Sequence, residues 1–93
     1  MNLRKAARGR ACQVRLPICN ADSETTVLAH IRRSGVAGMG QKPPDTCAVL
    51  ACSACHDAID GRGYCPVSRP ELDSYILEAM CRTHAIWSKE GLL

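Results

Sequence analysis

The sequence is poor in aromatic residues and carries no long apolar run. It has no phenylalanine, one tryptophan and two tyrosines among 93 residues. Its core must therefore rest on Leu, Ile, Val, Ala, Met and Cys side chains. Because a chain this short buries only a modest share of its unfolded surface, we expect one domain that a metal ion or disulfides stabilise.

Segments that direct a protein out of the cytoplasm are also lacking. Residues 1–10 contain no apolar stretch of the secretory type, and no segment approaches the roughly 18 to 20 apolar residues of a membrane span. Seven cysteines in such a chain favour a reducing compartment, where clustered cysteines bind metal or act catalytically more often than they pair. We therefore predict a cytoplasmic protein with no membrane partner.

Positive charge is concentrated in the first half of the chain. Residues 1–51 hold eight Lys or Arg against three Asp or Glu, whereas residues 52–93 hold four against six. Contact with a phosphate backbone requires a basic surface of this kind. Residues 1–10, ahead of a single predicted domain over residues 11–93, are interpreted as a basic arm or a short helix. Its cations are Arg4, Lys5, Arg8 and Arg10.

The pattern after this arm predicts two strands joined by a long loop. Residues 25–31 are rich in β-branched side chains, and residues 46–51 form a second short apolar run. Between them, residues 34–45 have the Gly and Pro content of a loop. Because isolated short strands must find partners, we predict a two-stranded sheet.

Two helices are predicted after the strands. The first covers residues 53–60 and ends at Gly61, and the second begins with the capping box Ser68-Arg-Pro-Glu71 and ends at Gly91. The second helix has one stripe of apolar positions at three- and four-residue steps: Leu72, Tyr75, Ile76, Ala79, Met80, Thr83 and Trp87. The predicted fold class is therefore α+β.

Four cysteines have the composition of a structural zinc site. Cys52 and Cys55 form a Cys-x-x-Cys pair at a strand-to-helix junction, where the helix N-terminus favours thiolate charge. Cys12 and Cys19 lie in a turn-rich segment that could close on this pair, although their spacing is wider than usual. We predict that these four thiolates bind Zn²⁺ as a structural ion.

Spacing alone leaves other roles open for the cysteines. Cys47 is a candidate to replace Cys12 or Cys19 as a ligand. The Cys-x-x-Cys pair is also typical of a redox site, but no thioredoxin-type βαβ unit precedes it. Cys65 and Cys81, together with Cys47 in the favoured arrangement, are expected to be inert core residues.

Two histidines suggest a catalytic site beside the zinc. His56 directly follows the Cys-x-x-Cys pair and lies four residues before Asp60, so on a helix the two share a face and can hold a second ion. Alternatively, His56 is a neighbour or a ligand of the zinc. His30 ends the first predicted strand beside Arg32 and Arg33, where it could activate a water next to a phosphate. The alternative is that His30 is not catalytic and only forms hydrogen bonds with its neighbours, as a single histidine on a strand more often does.

At these residues the sequence resembles a known family. The segment Leu50-Ala-Cys-Ser-Ala-Cys-His56 looks like the Leu-x-Cys-x-x-Cys-His end of HNH nucleases, and Ala29-His30-Ile31 is similar to their first motif. The HNH fold is the ββα-metal element, a two-stranded hairpin followed by a helix, and zinc-bearing members add an upstream cysteine pair. The resemblance implies a small zinc-stapled ββα-metal (HNH-like) domain with an additional C-terminal helix.

A closer resemblance covers nearly the whole chain. The sequence resembles the small prophage-encoded nucleases of the YbcO type in six segments: Leu3 to Arg10, Cys12 to Arg15, Leu28 to Arg32, Lys42 to Asp45, Ala51 to Asp57 and Ile86 to Gly91. This resemblance implies metal-dependent hydrolysis of DNA phosphodiester bonds, with DNA as the partner.

The resemblance also implies a role for each candidate residue. His30 would be the general base that deprotonates the attacking water. His56 and Asp60 would bind a divalent cation, Mg²⁺ or Mn²⁺, on the scissile phosphate. Contacts to nucleic acid would come from five arginines: Arg32, Arg33, Arg4, Arg8 and Arg10.

Two departures from the HNH pattern bear on activity. The metal ligand that usually precedes the base is replaced by Ala29. The motif asparagine that orients the base falls near Cys47, with Asp45 as the nearest polar substitute. The alternatives to an endonuclease are a non-catalytic zinc-bound nucleic-acid-binding module, or a structural or protein-interaction domain of prophage origin.

Overall fold

The computed structural model describes residues 2–32 and 43–93 of the chain. Its elements, in chain order, are α1 (Leu3–Ala6), a 3₁₀ turn (Ser23–Thr25), β1 (Val27–His30), β2 (Ala48–Ala51), α2 (Ser53–Asp60) and α3 (Arg69–Lys89). β1 and β2 form one antiparallel two-stranded sheet. The predicted α+β class and sheet are confirmed, and most of the predicted loop over residues 34–45 lies outside the described residues.

Both strands begin two residues later than predicted. The Asp22 side chain accepts a hydrogen bond from the Glu24 N–H and caps the 3₁₀ turn, which takes the place of the expected start of β1. Before β2, the Cys47 N–H closes a turn onto the Pro44 carbonyl at 2.9 Å. Local side-chain and backbone bonds therefore compete with the sheet at both strand starts.

The helices begin and end close to the capping signals predicted from the sequence. α2 has the predicted bounds: the Cys52 sulfur accepts the Cys55 N–H at its start, and Gly61 closes its end with φ of 75°. At the start of α3, the Ser68 hydroxyl accepts the Glu71 N–H at 3.3 Å and lies 3.0 Å from the Glu71 carboxylate. These caps satisfy amides that a helix start leaves without a partner.

Two apolar clusters cover the two faces of the sheet. The first cluster includes Ala29, Val49 and Ala51, together with residues of α2 and the first half of α3. The second includes Leu28 and Leu50. Neighbouring strand residues thus point to opposite faces, as the pleat of a β-strand dictates.

α3 contacts both clusters. Leu72 and Ile76 near its start belong to the first cluster, whereas Trp87 near its end belongs to the second. Leu3 and Ala7, from α1 and the residue after it, are buried beside Trp87. The basic N-terminal segment therefore forms a short helix whose apolar side packs against the domain.

One expectation about α3 is wrong. Cys81 is exposed rather than buried in the core. It comes after the stripe residues Ala79 and Met80, and each helical residue turns by about 100°, so its side chain points away from the sheet. None of the described helices is both long enough and apolar enough to cross a membrane.

Candidate functional site

The four cysteines predicted as zinc ligands meet at one point. The sulfur atoms of Cys12, Cys19, Cys52 and Cys55 all lie within 4.8 Å of one another. The competing Cys47 is separate, because its thiol donates to the Ile31 carbonyl at 3.8 Å. Within residues 2–32 and 43–93, no other three His, Cys, Asp or Glu ligand atoms lie so close together.

Two strained turns bring the upstream pair into this cysteine cluster. Arg15 and Ala21 have φ of 58° and 56°, a left-handed conformation that costs a non-glycine residue about 1–2 kcal/mol. Each turn directs a backbone N–H at a sulfur, from Arg15 to Cys12 and from Ala21 to Cys19. The wide spacing of the pair therefore accommodates two separate sulfur-binding turns.

Hydrogen bonds within the cluster separate the acidities of the thiols. A bond from Cys55 and backbone N–H groups lower the pKa of Cys12 to about 4. The same bond, with burial, raises the pKa of Cys55 above its usual value, and burial raises that of Cys19. A cation bound among the sulfurs would therefore favour the thiolate forms of Cys19 and Cys55. Four convergent sulfurs with backbone donors fit the ligand set of a tetrahedral structural zinc site.

The residues predicted for catalysis line one open cleft. His30, from the end of β1, and His56 and Asp60, from α2, border a cavity of about 300 Å³. Arg4 and Arg32 line the same cavity. This reactive cleft therefore combines acid–base groups with cations that can contact an anion.

An ionic chain orients His30 in the reactive cleft. The His30 Nε2 lies 2.7 Å from the Asp45 Oδ1, and the Arg4 Nε lies 3.5 Å from the same oxygen. The bond from His30 and the charge of Arg4 lower the pKa of Asp45 below its usual value. An ionised carboxylate can only accept a hydrogen bond, so a neutral His30 carries its proton on Nε2 and its lone pair on Nδ1.

His56 and Asp60 also contact each other. The His56 Nε2 lies 3.1 Å from the Asp60 Oδ2, one helical turn away as predicted. The Arg62 Nη2 lies 3.2 Å from that same oxygen and 3.4 Å from the Asp57 Oδ1. Any cation bound at Asp60 would therefore compete with Arg62. Asp57 thus pairs with the same arginine as Asp60.

The predicted nucleic-acid-binding arginines lie in different places. Arg4 and Arg32 line the reactive cleft, whereas Arg8 is exposed on the N-terminal segment. Arg10 forms a two-pronged ion pair with Glu90, and its guanidinium lies 5.0 Å from the centre of the Trp87 ring. Arg33, also predicted to bind nucleic acid, lies outside the described residues.

Two arginines near the cleft, Arg62 and Arg69, are not indicated by any sequence pattern. Arg62 and Arg69 line a second cavity of about 410 Å³ that continues the cleft. Arg62 lies in the Gly-Arg-Gly segment after α2, and Arg69 lies within the capping box of α3. Both segments carry local turn and cap signals, which give no indication that the two side chains share a cavity.

Comparisons with known proteins identify close relatives. A family model described as "Putative nuclease YbcO" matches residues 1–92. The chain is 56% identical over 93 residues to "Putative nuclease YbcO" of Escherichia coli (strain K12), with 99% of this chain and 96% of the relative covered. "Putative nuclease ybcO" of Enterobacteria phage 82 is equally similar, again 56% identical with the same 99% and 96% coverage.

A solved structure also matches the fold. It is described as "Structure of a putative bacteriophage protein from Escherichia coli str. K-12 substr. MG1655". The match has a TM-score of 0.80 and 52% sequence identity, and it covers 97% of this chain and 100% of the other. The relatives thus share the whole length of the domain and include a phage protein.

Proposed function

The chain belongs to the YbcO family, and from that membership we propose that it is a metal-dependent endonuclease of the HNH type that hydrolyses DNA phosphodiester bonds. The observation that carries the proposal is the reactive cleft. It joins His30 to His56 and Asp60 beside Arg4 and Arg32, which supply a base, two ligand atoms and two cations.

In this proposal, the cysteine cluster has a structural role. Cys12, Cys19, Cys52 and Cys55 would hold Zn²⁺ and thereby fix the start of α2. His56 and Asp60 follow on the same helix, so the zinc would set the position of the reactive cleft. Seven free cysteines support a reducing, cytoplasmic location.

His30 is the proposed general base. Asp45 accepts the Nε2–H and holds the ring, so Nδ1 can take the proton from a water that attacks the phosphorus. The phosphorus gains this oxygen, and its bond to the 3′ oxygen breaks. Arg4 and Arg32 hold the non-bridging phosphate oxygens while their charge increases.

His56 and Asp60 are the proposed ligands of a divalent cation, Mg²⁺ or Mn²⁺. When bound, such a cation would supply Lewis-acid stabilisation of the phosphate and of the leaving oxygen. Asp60 already lies between His56 and Arg62, so its carboxylate is held toward the reactive cleft before any ion binds.

Substitution of His30 tests the proposal. Purified protein with Mg²⁺ or Mn²⁺ should nick or cut plasmid or branched DNA, and His30→Ala should lower the rate at least about 100-fold. The matched control is His84→Ala, since His84 lies outside the cleft and contacts the Thr46 carbonyl. Zinc content and Tm measured in parallel establish that both variants fold. Undiminished cleavage by a folded His30→Ala protein would contradict the assignment of the base.

A non-catalytic nucleic-acid-binding module is the second candidate. It is favoured by Ala29, which is 0% exposed in the first cluster and offers no ligand atom next to His30. Only His56 and Asp60 then remain as protein ligands of the proposed cation. DNA binding without cleavage under Mg²⁺ and Mn²⁺ would select this module, and absence of both would select a structural or protein-interaction domain.

A further inference from the structure

The second cavity beside the reactive cleft has the composition of an anion site. It measures about 410 Å³ and is lined by Ile31, Arg32, Ile59, Asp60, Arg62 and Arg69. We propose that this cavity, here called the arginine subsite, binds a further phosphate of the same DNA strand. The proposal rests on the proposed DNA substrate but requires no cleavage.

Charge in the arginine subsite favours an anion. Three guanidinium groups face one carboxylate, and that carboxylate, Asp60, is already paired with His56 and Arg62. Neither Arg32 nor Arg69 takes part in an ion pair among the described residues. Their charges are therefore available to a phosphate, which a guanidinium can bind through two parallel hydrogen bonds.

The subsite is continuous with the reactive cleft. Arg32, Asp60 and Arg62 line both cavities, so a strand held at His30 would lead directly into the subsite. Ile59 also lines the subsite and is half-buried, so it offers an apolar surface suited to a sugar. This combination of cations and apolar surface matches the alternation of phosphate and sugar along a strand.

Arg69 offers the most selective test because it lines the subsite and not the reactive cleft. Arg69→Gln removes one charge at the first residue of α3. Lys89→Gln removes one charge at the last residue of the same helix, and it is the matched control. At 1.5 Å per residue the two positions are about 30 Å apart along the helix.

The first measurement is fluorescence anisotropy with short labelled duplex and single-stranded DNA, without added Mg²⁺ or Mn²⁺. Arg69→Gln should raise Kd about fivefold and reduce the slope of log K against log salt concentration by about one. Lys89→Gln should leave Kd within about twofold of the original protein. Equal Kd values for the two variants would overturn the subsite.

The second measurement identifies the phosphate. In a series of DNAs, each with one uncharged methylphosphonate linkage, the original protein should lose affinity at a particular linkage. The DNA affinity of Arg69→Gln should not change when that linkage is uncharged, because the guanidinium that would contact the phosphate is already absent. An equal loss in both proteins would overturn the proposal. If this linkage pattern is found and no cleavage occurs, the subsite is supported and the endonuclease proposal fails. If cleavage occurs and Arg69→Gln has no effect on binding, the endonuclease proposal is supported and the subsite fails.

Discussion

The cysteine cluster and the reactive cleft differ in how their polar groups are satisfied. In the cluster, four sulfurs crowd within 4.8 Å and strained backbone turns direct N–H groups at them. In the cleft, polar side chains pair with one another, His30 with Asp45 and His56 with Asp60. The cluster thus offers four converging sulfurs to a cation, whereas a ligand entering the cleft must displace existing contacts.

α2 connects these two regions. Cys52 caps its start and Cys55 lies in its first turn, while His56 and Asp60 continue along the helix toward the cleft. Damage to the cluster should therefore also disrupt the cleft. Damage to the cleft should leave the cluster intact. This asymmetry orders the expected effects of substitutions.

The largest effect is expected at the cluster. Cys52→Ser should remove a buried sulfur that accepts the Cys55 N–H, and the protein should lose its metal and its cooperative unfolding. Elemental analysis for zinc and thermal unfolding by circular dichroism measure both. Cys81→Ser, at an exposed cysteine, is the control and should change neither. A Cys52→Ser protein that keeps its zinc and its Tm would refute the scaffold role.

A smaller effect, confined to activity, is expected at Asp45. Asp45→Asn removes the charge that holds His30 Nε2–H, so cleavage should fall about 100-fold while zinc content stays unchanged. Asp22→Asn is the matched control, because asparagine caps as well as aspartate. Full activity of Asp45→Asn would show that the ionic chain does not orient the base.

A change of a few fold in the affinity for Mn²⁺ is expected when the contacts within the cleft are weakened. Arg62→Gln frees the Asp60 Oδ2 from a guanidinium 3.2 Å away, so the Kd for Mn²⁺ should fall about two- to fivefold. Electron paramagnetic resonance titration of Mn²⁺ measures this without any cleavage. Lys89→Gln serves as the charge-matched control. Weaker Mn²⁺ binding by Arg62→Gln would mean that Arg62 supports the ion instead of competing with it.

The smallest effect concerns pH. His30 and Arg4 lower the pKa of Asp45 in the folded protein, so this carboxylate contributes stability above its unfolded pKa and loses it as pH falls through the folded pKa. The difference in free energy of unfolding between the original protein and Asp45→Asn should therefore shrink in acid. Urea unfolding at a series of pH values measures it. A difference that grows on acidification would contradict the lowered pKa.

Local signals in the sequence account for most of the fold. The bounds of α2 follow from Cys52 before it and Gly61 after it, and the start of α3 follows from Ser68 and Glu71. The start of β1 was misplaced because Asp22 captures the chain in a 3₁₀ turn. Such side-chain bonds compete with strand formation and leave no trace in hydrophobic periodicity.

The candidate site was less visible in the sequence. Residue type identified the four cysteines that meet, but not the left-handed turns at Arg15 and Ala21, since neither residue type favours positive φ. Arg62 and Arg69 were missed because their shared cavity depends on where α3 begins relative to α2. The two arginines are brought together by the tertiary structure, which short-range sequence patterns do not encode.

Trp87 gives the molecule a built-in optical probe of one face of its sheet. It is the only tryptophan, 1% exposed, and it lies in the cluster that holds Leu3 and Ala7. The cysteine sulfurs lie on the other face, where Co²⁺ in place of Zn²⁺ would give visible thiolate absorption. Emission and absorbance therefore report separately on the two faces, and their order of loss on heating reveals which face comes apart first.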